Sequence, residues 1–361
     1  MMNGENVQRS TKALAAKMWG RLVVCRVPDR RLQVCATLRA ICARAVALSF
    51  AAASPLFADI ASPDQASVIV AIGAPGGDDY KGVFERWAGH WTKASAAGDA
   101  RCVEIGADPN ATDSLVRFRD TLKAEPVESP SPLWIVLLGH GTFDGKEAKF
   151  NLRGDDLAAS ELAEWLRPFH RPIVVVCGFS ASGAFLKPLS APDRVIVCAT
   201  RSGAENNFAR FGGYFSEGIA DPSADLDKDG ETSVLEAFLA AARRAADFYK
   251  NEGRLATEHA LLDDNGDGLG TPPDWFQGVR AVKRAKSNQA PDGLRAHQIH
   301  LVASAAERTL PPPVRAERDE MERELAKLRD AKATMPEEEY FAKLEEIMLR
   351  IARLYQRGTA P

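Results

Sequence analysis

Two short apolar runs end in side chains that can do acyl-transfer chemistry. Leu133–Leu138 stops at Gly139-His140-Gly141, and Ile173–Cys177 stops at Gly178-Phe179-Ser180, followed by Ala181-Ser182-Gly183. A histidine that takes the proton of a nearby hydroxyl turns a weak serine into a nucleophile. The backbone amides of Gly141 and of Ser180 itself would then face the developing oxyanion. Each group also has a plainer reading. His140 can be a fixed tautomer that stabilises a turn, and Ser180 and Ser182 can cap a helix over Ala184–Leu189.

A second set of residues is spaced for a cation. Asp225, Asp227, Asp229, Gly230, Glu231, Ser233 and Glu236 fall at positions 1, 3, 5, 6, 7, 9 and 12 of an EF-hand-type loop. Three carboxylates converge, the glycine makes the sharp turn, Glu231 offers its carbonyl and Glu236 closes the shell with two oxygens. Thr232 departs from the usual aliphatic residue at position 8, and Gly212, Gly213 and Gly218 argue against an entering helix. The plainer reading is a capping box, Ser233 to Glu236, which is compatible with a metal loop. Asp263, Asn265, Asp267 and Gly268 start a second copy with Asp274 at its last position, but Pro272 and Pro273 leave no exiting helix. The expected cofactor is calcium.

These residues need elements to hold them. Val68–Ile72, Arg101–Ile105, Leu133–Leu138, Ile173–Cys177 and Val195–Ala199 read as strands. Helical periodicity covers Tyr80–Ser95, Thr112–Ala124 (with Asn110 or Thr112 as cap), Ala158–Leu166 and Val234–Tyr249. His90 reads as a packed helix residue, and Lys149–Leu152 as a small extension. Alternation of strand and helix implies an α/β fold with a mainly parallel sheet and helices on both faces. The turn Gly73–Gly77 can cradle an anion but lacks the lysine of a phosphate loop, so a plain strand-to-helix turn is the alternative.

Residues 277–313 read as a linker ending in Pro311-Pro312-Pro313. Beyond them Val314–Asp330 and Pro336–Gln356 form an antiparallel helical hairpin, residues 314–361. Met321, Leu325 and Leu328 are expected to face Leu344, Ile347, Met348, Ile351 and Leu354 at three/four spacing. The hairpin is as compatible with a homodimer as with packing on the sheet.

The chain has 361 residues, 45% hydrophobic and 26% charged, with net charge −3, so composition speaks against a nucleic-acid binder. Residues 7–44 are Arg-rich with Asp29 as their one acid, and lead into apolar Ala43–Phe57 and a small-residue run ending at Ala58. That is the pattern of a leader and signal peptide over residues 1–58, too short to span a bilayer, and it implies export to the periplasm or the extracellular space. No other stretch is long enough for a membrane span. Millimolar extracellular calcium would saturate even weak sites. Cys25, Cys35 and Cys42 would leave with the leader; Cys102, Cys177 and Cys198 sit in expected strands and behave as small hydrophobes.

At the His/Ser pair the chain resembles the caspase-like peptidases, and within them the legumain-like branch. That family carries an apolar strand ending in His-Gly and a later strand ending in Cys-x-Ser-Gly. Here these are Val136-Leu137-Leu138-Gly139-His140-Gly141 and Ser180-Ala181-Ser182-Gly183, with the histidine 40 residues before the nucleophile position. The resemblance covers roughly Ser67–Asp274 and implies a three-layer sandwich over residues 66–276. It also implies that Val195–Thr200 with Arg201, Ser202 and Glu205 walls the first specificity pocket. The departure is Ser180 where the family has its cysteine, and a hydroxyl is a far weaker nucleophile than a thiolate near neutral pH. The expected function is therefore that of an exported, calcium-binding legumain-like homologue acting on peptide or protein. It is either a pseudopeptidase or a weak serine-type hydrolase using Ser180 and His140. The alternative is a non-catalytic, calcium-dependent protein-binding module.

Overall fold

The computed structural model describes residues 65–283 and 291–358. The leader expected over residues 1–58 lies outside the described residues.

Strands β1 (Ser67–Ile72), β2 (Arg101–Ile105) and β3 (Leu133–Gly139) are followed by three short ones, β4 (Gly141–Phe143), β5 (Ala148–Phe150) and β6 (Leu157–Ala158). Then come β7 (Ile173–Phe179), β8 (Arg194–Cys198) and β9 (Leu261–Asp263). The main sheet has the order β2-β1-β3-β7-β8-β9 and is parallel except for the β8–β9 pair. β1, β3 and β7 are buried at every position, as strands apolar on both faces must be. The chain steps from β1 outward to β2 and then back past β1 to β3. The carboxyl ends of β1 and β3 therefore flank the switch point, where such sheets open a crevice.

Helices cover both faces, which is the α/β architecture expected. Val68, Val70 and Ile72 pack under α1 (Asp78–Ala97), α5 (Phe211–Gly218) and α6 (Val234–Asn251). Ile69 and Ala71, of opposite parity, pack under α2 (Ser114–Lys123), α3 (Ala159–Leu166) and α4 (Gly183–Leu189). Burying one such aliphatic side chain is worth about 1.5–3 kcal/mol. His90 on α1 bonds Ser216 on α5 at 3.1 Å. The helix expected from Thr112 begins at Ser114 behind Asp113, and neither Asn110 nor Thr112 caps it.

The glycines before the acidic loop do not prevent a helix; α5 runs through them. A Cβ on Gly212 would lie 2.7 Å from the Gly178 carbonyl oxygen, so glycine is what lets α5 lie directly on β7.

The segment read as a linker is partly ordered into elements. It contains β10 (Phe276–Gln277), β11 (Arg280–Ala281), α7 (Leu294–Gln298) and α8 (Ala305–Thr309). The hairpin consists of α9 (Pro312–Ala331) and α10 (Glu337–Gly358) around Met321, Leu325, Leu328, Tyr340, Ile347 and Leu354. Met348, expected in that seam, is 49% exposed, and Tyr340, not expected there, is buried in it. The hairpin meets the rest through α9: Gln298 donates to the Asp319 carbonyl at 2.9 Å, and Arg318 pairs with Glu307 at 2.6 Å.

Candidate functional site

β3 and β7 pair in register with Gly139 opposite Phe179, so the next residue on each strand, His140 and Ser180, emerges side by side at the carboxyl ends. Strand β7 runs two residues past the expected Cys177 and delivers Ser180 directly into a sharp turn. Ala181 there adopts φ 60°, a left-handed conformation that alanine reaches only under local constraint. Its amide donates to the Glu205 carbonyl at 2.7 Å, which ties the turn to the segment after β8.

The two side chains are neighbours but not partners. Ser180 is 2% exposed; its hydroxyl accepts from the Gly141 amide at 3.1 Å and donates to the Gly141 carbonyl at 3.2 Å. The approach is close: a Cβ on Gly141 would fall 2.4 Å from the Ser180 carbonyl oxygen and from the Phe179 ring. His140 Nε2 lies 3.2 Å from the Pro75 carbonyl oxygen in the turn after β1. Its ring is held by Tyr80, Phe84 and Phe208, with centroids 4.8, 5.2 and 6.0 Å away. Burial holds the His140 pKa below the ordinary histidine value, against the opposing pull of the Pro75 carbonyl. Among the described residues no hydrogen bond joins the His140 ring to the Ser180 hydroxyl.

Ser182 does not cap the following helix. Its hydroxyl lies 3.2 Å from that of Thr200 and accepts from the Thr200 amide at 3.1 Å. Ser180 caps nothing either. Cys177 is fully buried beside its register partner Cys198, whose thiol burial pushes well up.

The expected pocket wall is built around Glu205. Its carboxylate pairs with Arg201 Nε at 3.0 Å and accepts from the Arg201 amide at 3.0 Å. It also meets His259 Nδ1 at 2.6 Å. The Glu205 side chain is 12% exposed and that of Arg201 63%, so Glu205 is the scaffold and Arg201 faces outward. Ser202 accepts from the Ala204 amide at 3.3 Å. Sequence reasoning missed His259 and Phe143; the Phe143 ring, 39% exposed, lies against Gly203. No spacing pattern links residues this far apart along the chain.

The acidic loops share one geometry. Asp225 accepts from the amides of Lys228 at 2.6 Å and Gly230 at 3.1 Å, and Asp263 accepts from Gly266 and Gly268, both at 3.0 Å. In the first loop, ligand atoms of Asp225, Asp227 and Asp229 lie within 4.8 Å of one another. Ser233 and Glu236 form the capping box: the Ser233 hydroxyl accepts from the Glu236 amide at 3.2 Å, and Glu236 accepts from the Ser233 amide at 2.9 Å. Glu236 also accepts from the Leu226 amide at 2.7 Å. Desolvation holds the Asp229 carboxyl above its ordinary value, with Asp227 adding to it. An all-oxygen set of this kind fits a hard divalent cation such as calcium. Two histidines enter, one from α7 and one just beyond its end: His297 Nε2 meets Asp227 at 3.0 Å, and His300 Nδ1 lies 3.5 Å from Glu231.

The second loop is built differently at its end. Asn265 and Asp267 cap backbone amides, the Asn265 side chain accepting from Asp267 at 2.8 Å and the Asp267 side chain from Leu269 at 2.7 Å. Asp274 pairs with Lys283 at 2.8 Å and is not brought into a carboxylate cluster with Asp263.

No family model matches the chain, and no curated protein matches it. Solved structures do. The initiator caspase Dronc of Drosophila is 12% identical over 58% of this chain and 81% of its own, with a TM-score of 0.39. Caspase-1 from Spodoptera frugiperda is 9% identical over 57% of this chain and 88% of its own, with a TM-score of 0.38. At these scores the likenesses add nothing to what the sheet topology itself shows: a mainly parallel α/β sandwich with His140 and Ser180 at adjacent strand ends.

Proposed function

We propose that this chain is a legumain-like pseudopeptidase, which keeps a peptide- or protein-binding cleft at the carboxyl ends of β3 and β7 but does not turn substrate over. One observation carries the reading. The Ser180 hydroxyl is satisfied on both sides by the main chain of Gly141, while the His140 ring engages Pro75. Attack would require Ser180 to leave both bonds, His140 to turn towards it, and the Gly141 amide to be released for an oxyanion. A thiolate would need no such base-assisted deprotonation at the moment of attack. In this reading Arg201, positioned by Glu205, recognises a substrate-like segment, and calcium on the Asp225–Glu236 loop stiffens the molecule after export through the leader. The runner-up is a weak serine hydrolase, favoured by the left-handed Ala181 that presents Ser180 on a sharp strand-to-helix turn.

The test is turnover of a mixed fluorogenic peptide and ester library, in millimolar calcium, by wild type, Ser180→Ala and Ser180→Cys. Silence in wild type with activity in Ser180→Cys is the expected result. Activity in wild type that vanishes in Ser180→Ala would establish the hydrolase and sink the pseudopeptidase. Silence in all three leaves calcium-dependent binding as the function of the cleft.

A further inference from the structure

The acidic loop carries a second grouping of donors that an all-oxygen calcium shell does not use. Glu231, at the position expected to give its carbonyl, turns its side chain inward, where it is 8% exposed and accepts from the Ser304 amide at 2.5 Å through Oε1. His300 faces its other oxygen and is itself 14% exposed at the side chain. His300 Nδ1 lies 3.5 Å from Glu231 Oε2, beyond the roughly 2.7–3.2 Å of an N–H···O bond. His300 Nε2 is buried with no hydrogen-bond partner among the described residues. A buried polar atom that finds no protein partner calls for water or an ion. Asp229 completes the group, its ligand atom within 4.8 Å of those of Glu231 and His300. The neighbouring group of Asp227, Glu236 and His297 is as compact, but its donors are already engaged. His297 Nε2 bonds Asp227 at 3.0 Å, and Glu236 accepts from the Leu226 and Ser233 amides.

Donor type and spacing select the ion. Calcium takes oxygen ligands, whereas an imidazole beside carboxylates suits zinc and its first-row neighbours. Bonds of about 2.0–2.2 Å at a tetrahedral angle set adjacent ligand atoms about 3.4 Å apart. The Glu231–His300 separation of 3.5 Å is close to that edge. The frame around the donors is fixed. The main chain of His300 forms an antiparallel bridge with that of Ser233, and Asp229 accepts from the Glu231 amide at 2.8 Å. Outer bonds of this kind, with the Ser304 amide on Glu231, orient ligands for a metal. Asp229 is exposed, which opens the group to solvent on one side.

We propose that Asp229, Glu231 and His300 form a site for a zinc-class divalent ion, with water as its fourth ligand, which ties the acidic loop to the segment leading into the hairpin. The site stands or falls independently of the cleft reading. It shares only Asp229 with the Asp225, Asp227 and Asp229 group expected to hold calcium, and a carboxylate can bridge two cations through its two oxygens.

The probe is cobalt(II), which accepts the same nitrogen and oxygen ligands as zinc and reports them by its visible absorption. The full chain is titrated with it in millimolar calcium. Wild type should develop a saturable band that added zinc erases. His300→Ala should weaken cobalt binding by about 100-fold or more, at least what loss of an outer-shell partner costs. Glu231→Gln keeps the shape of the side chain, so it guards against misfolding of the first variant, and it should weaken binding likewise. Asp227→Ala and His297→Ala touch only the neighbouring group and should bind cobalt as wild type does. A wild type without the band, a band that survives in both His300→Ala and Glu231→Gln, or one that disappears in Asp227→Ala or His297→Ala would each overturn the proposal.

Discussion

Ser180 and His140, at the ends of β7 and β3, each make a prediction of their own. Ser180 satisfies both main-chain groups of Gly141 inside a buried turn. Ser180→Ala should therefore leave a buried amide and carbonyl without that partner and cost about 1–3 kcal/mol of stability, read from the urea midpoint. A loss below a few tenths of a kcal/mol would mean that the hydroxyl does not hold these bonds in solution. His140 titrates below an ordinary histidine because its ring is buried among aromatics. The folded state thus prefers the neutral ring, so its contribution to stability is complete above the unfolded value of about 6.5. That contribution is lost as pH falls from there through the lower folded value. Wild type should lose stability on this interval more steeply than His140→Phe, in which the ring is kept and the titration removed. Equal slopes in the two proteins would show that His140 is not held neutral.

At the scale of elements, the amino ends of the strands are fastened by charge. Arg171, at the entry to β7, has a fully buried side chain that pairs with the equally buried Glu125 at 3.4 Å and donates to the Ser131 carbonyl at 2.9 Å. Arg101, at the start of β2, meets the same carboxylate. Removing one member leaves uncompensated buried charge, so Glu125→Ala should destabilise by about 3–5 kcal/mol. Replacing the ion pair by apolar side chains of similar volume should cost much less. The measurement is equilibrium denaturation of the single variant against the double variant Glu125→Leu/Arg171→Met. The acidic loop before α6 belongs to the same scale, since the Asp225 and Glu236 carboxylates hold the loop and the helix start together. If calcium binds there, adding it should raise the melting temperature, by the equivalent of about 2.7 kcal/mol at a hundred times the dissociation constant. Asp227→Ala, at an exposed position, should abolish the rise. An unchanged wild-type melting curve in millimolar calcium would remove calcium from the account.

The whole molecule separates its tasks between the two ends of the sheet. His140 and Ser180 follow the carboxyl ends of β3 and β7, while Arg171 and Glu125 close the amino ends. The hairpin is docked through α9 onto α7 and α8, by Arg318 to Glu307 and Gln298 to Asp319. Breaking that dock with Arg318→Ala should loosen the hairpin without touching the cleft. Limited proteolysis would then cut between Thr309 and Pro312 faster than in wild type, while the sheet melts as before. Equal cleavage rates would mean that the hairpin is held by something other than this ion pair.

Much of this architecture is legible along the chain, because buried parallel strands write themselves as continuous apolar runs and helices as three/four periodicity. The five strands read from sequence are all present, and so is the helical hairpin. The motif residues could also be found, since a strand end and a twelve-residue loop are local patterns. What lay beyond the sequence is everything set by residues that meet across long separations. Gly212 and Gly213 read as helix breakers, yet Gly212 allows α5 to rest on β7 and Gly213 admits the Trp87 ring of α1, close approaches visible only once the elements are in place. Met348 read as a seam residue, but it lies outside the seam, 49% exposed, while its chain neighbour Ile347 is buried in it. Most consequential is the site itself. Local pattern put His140 and Ser180 at neighbouring strand ends, but whether base and hydroxyl engage depends on competing partners at hydrogen-bond range. Gly141 and Pro75, brought in by the fold, supply those partners. Hydrogen bonds are decided within a few tenths of an ångström, and only the packed tertiary structure resolves distances that fine.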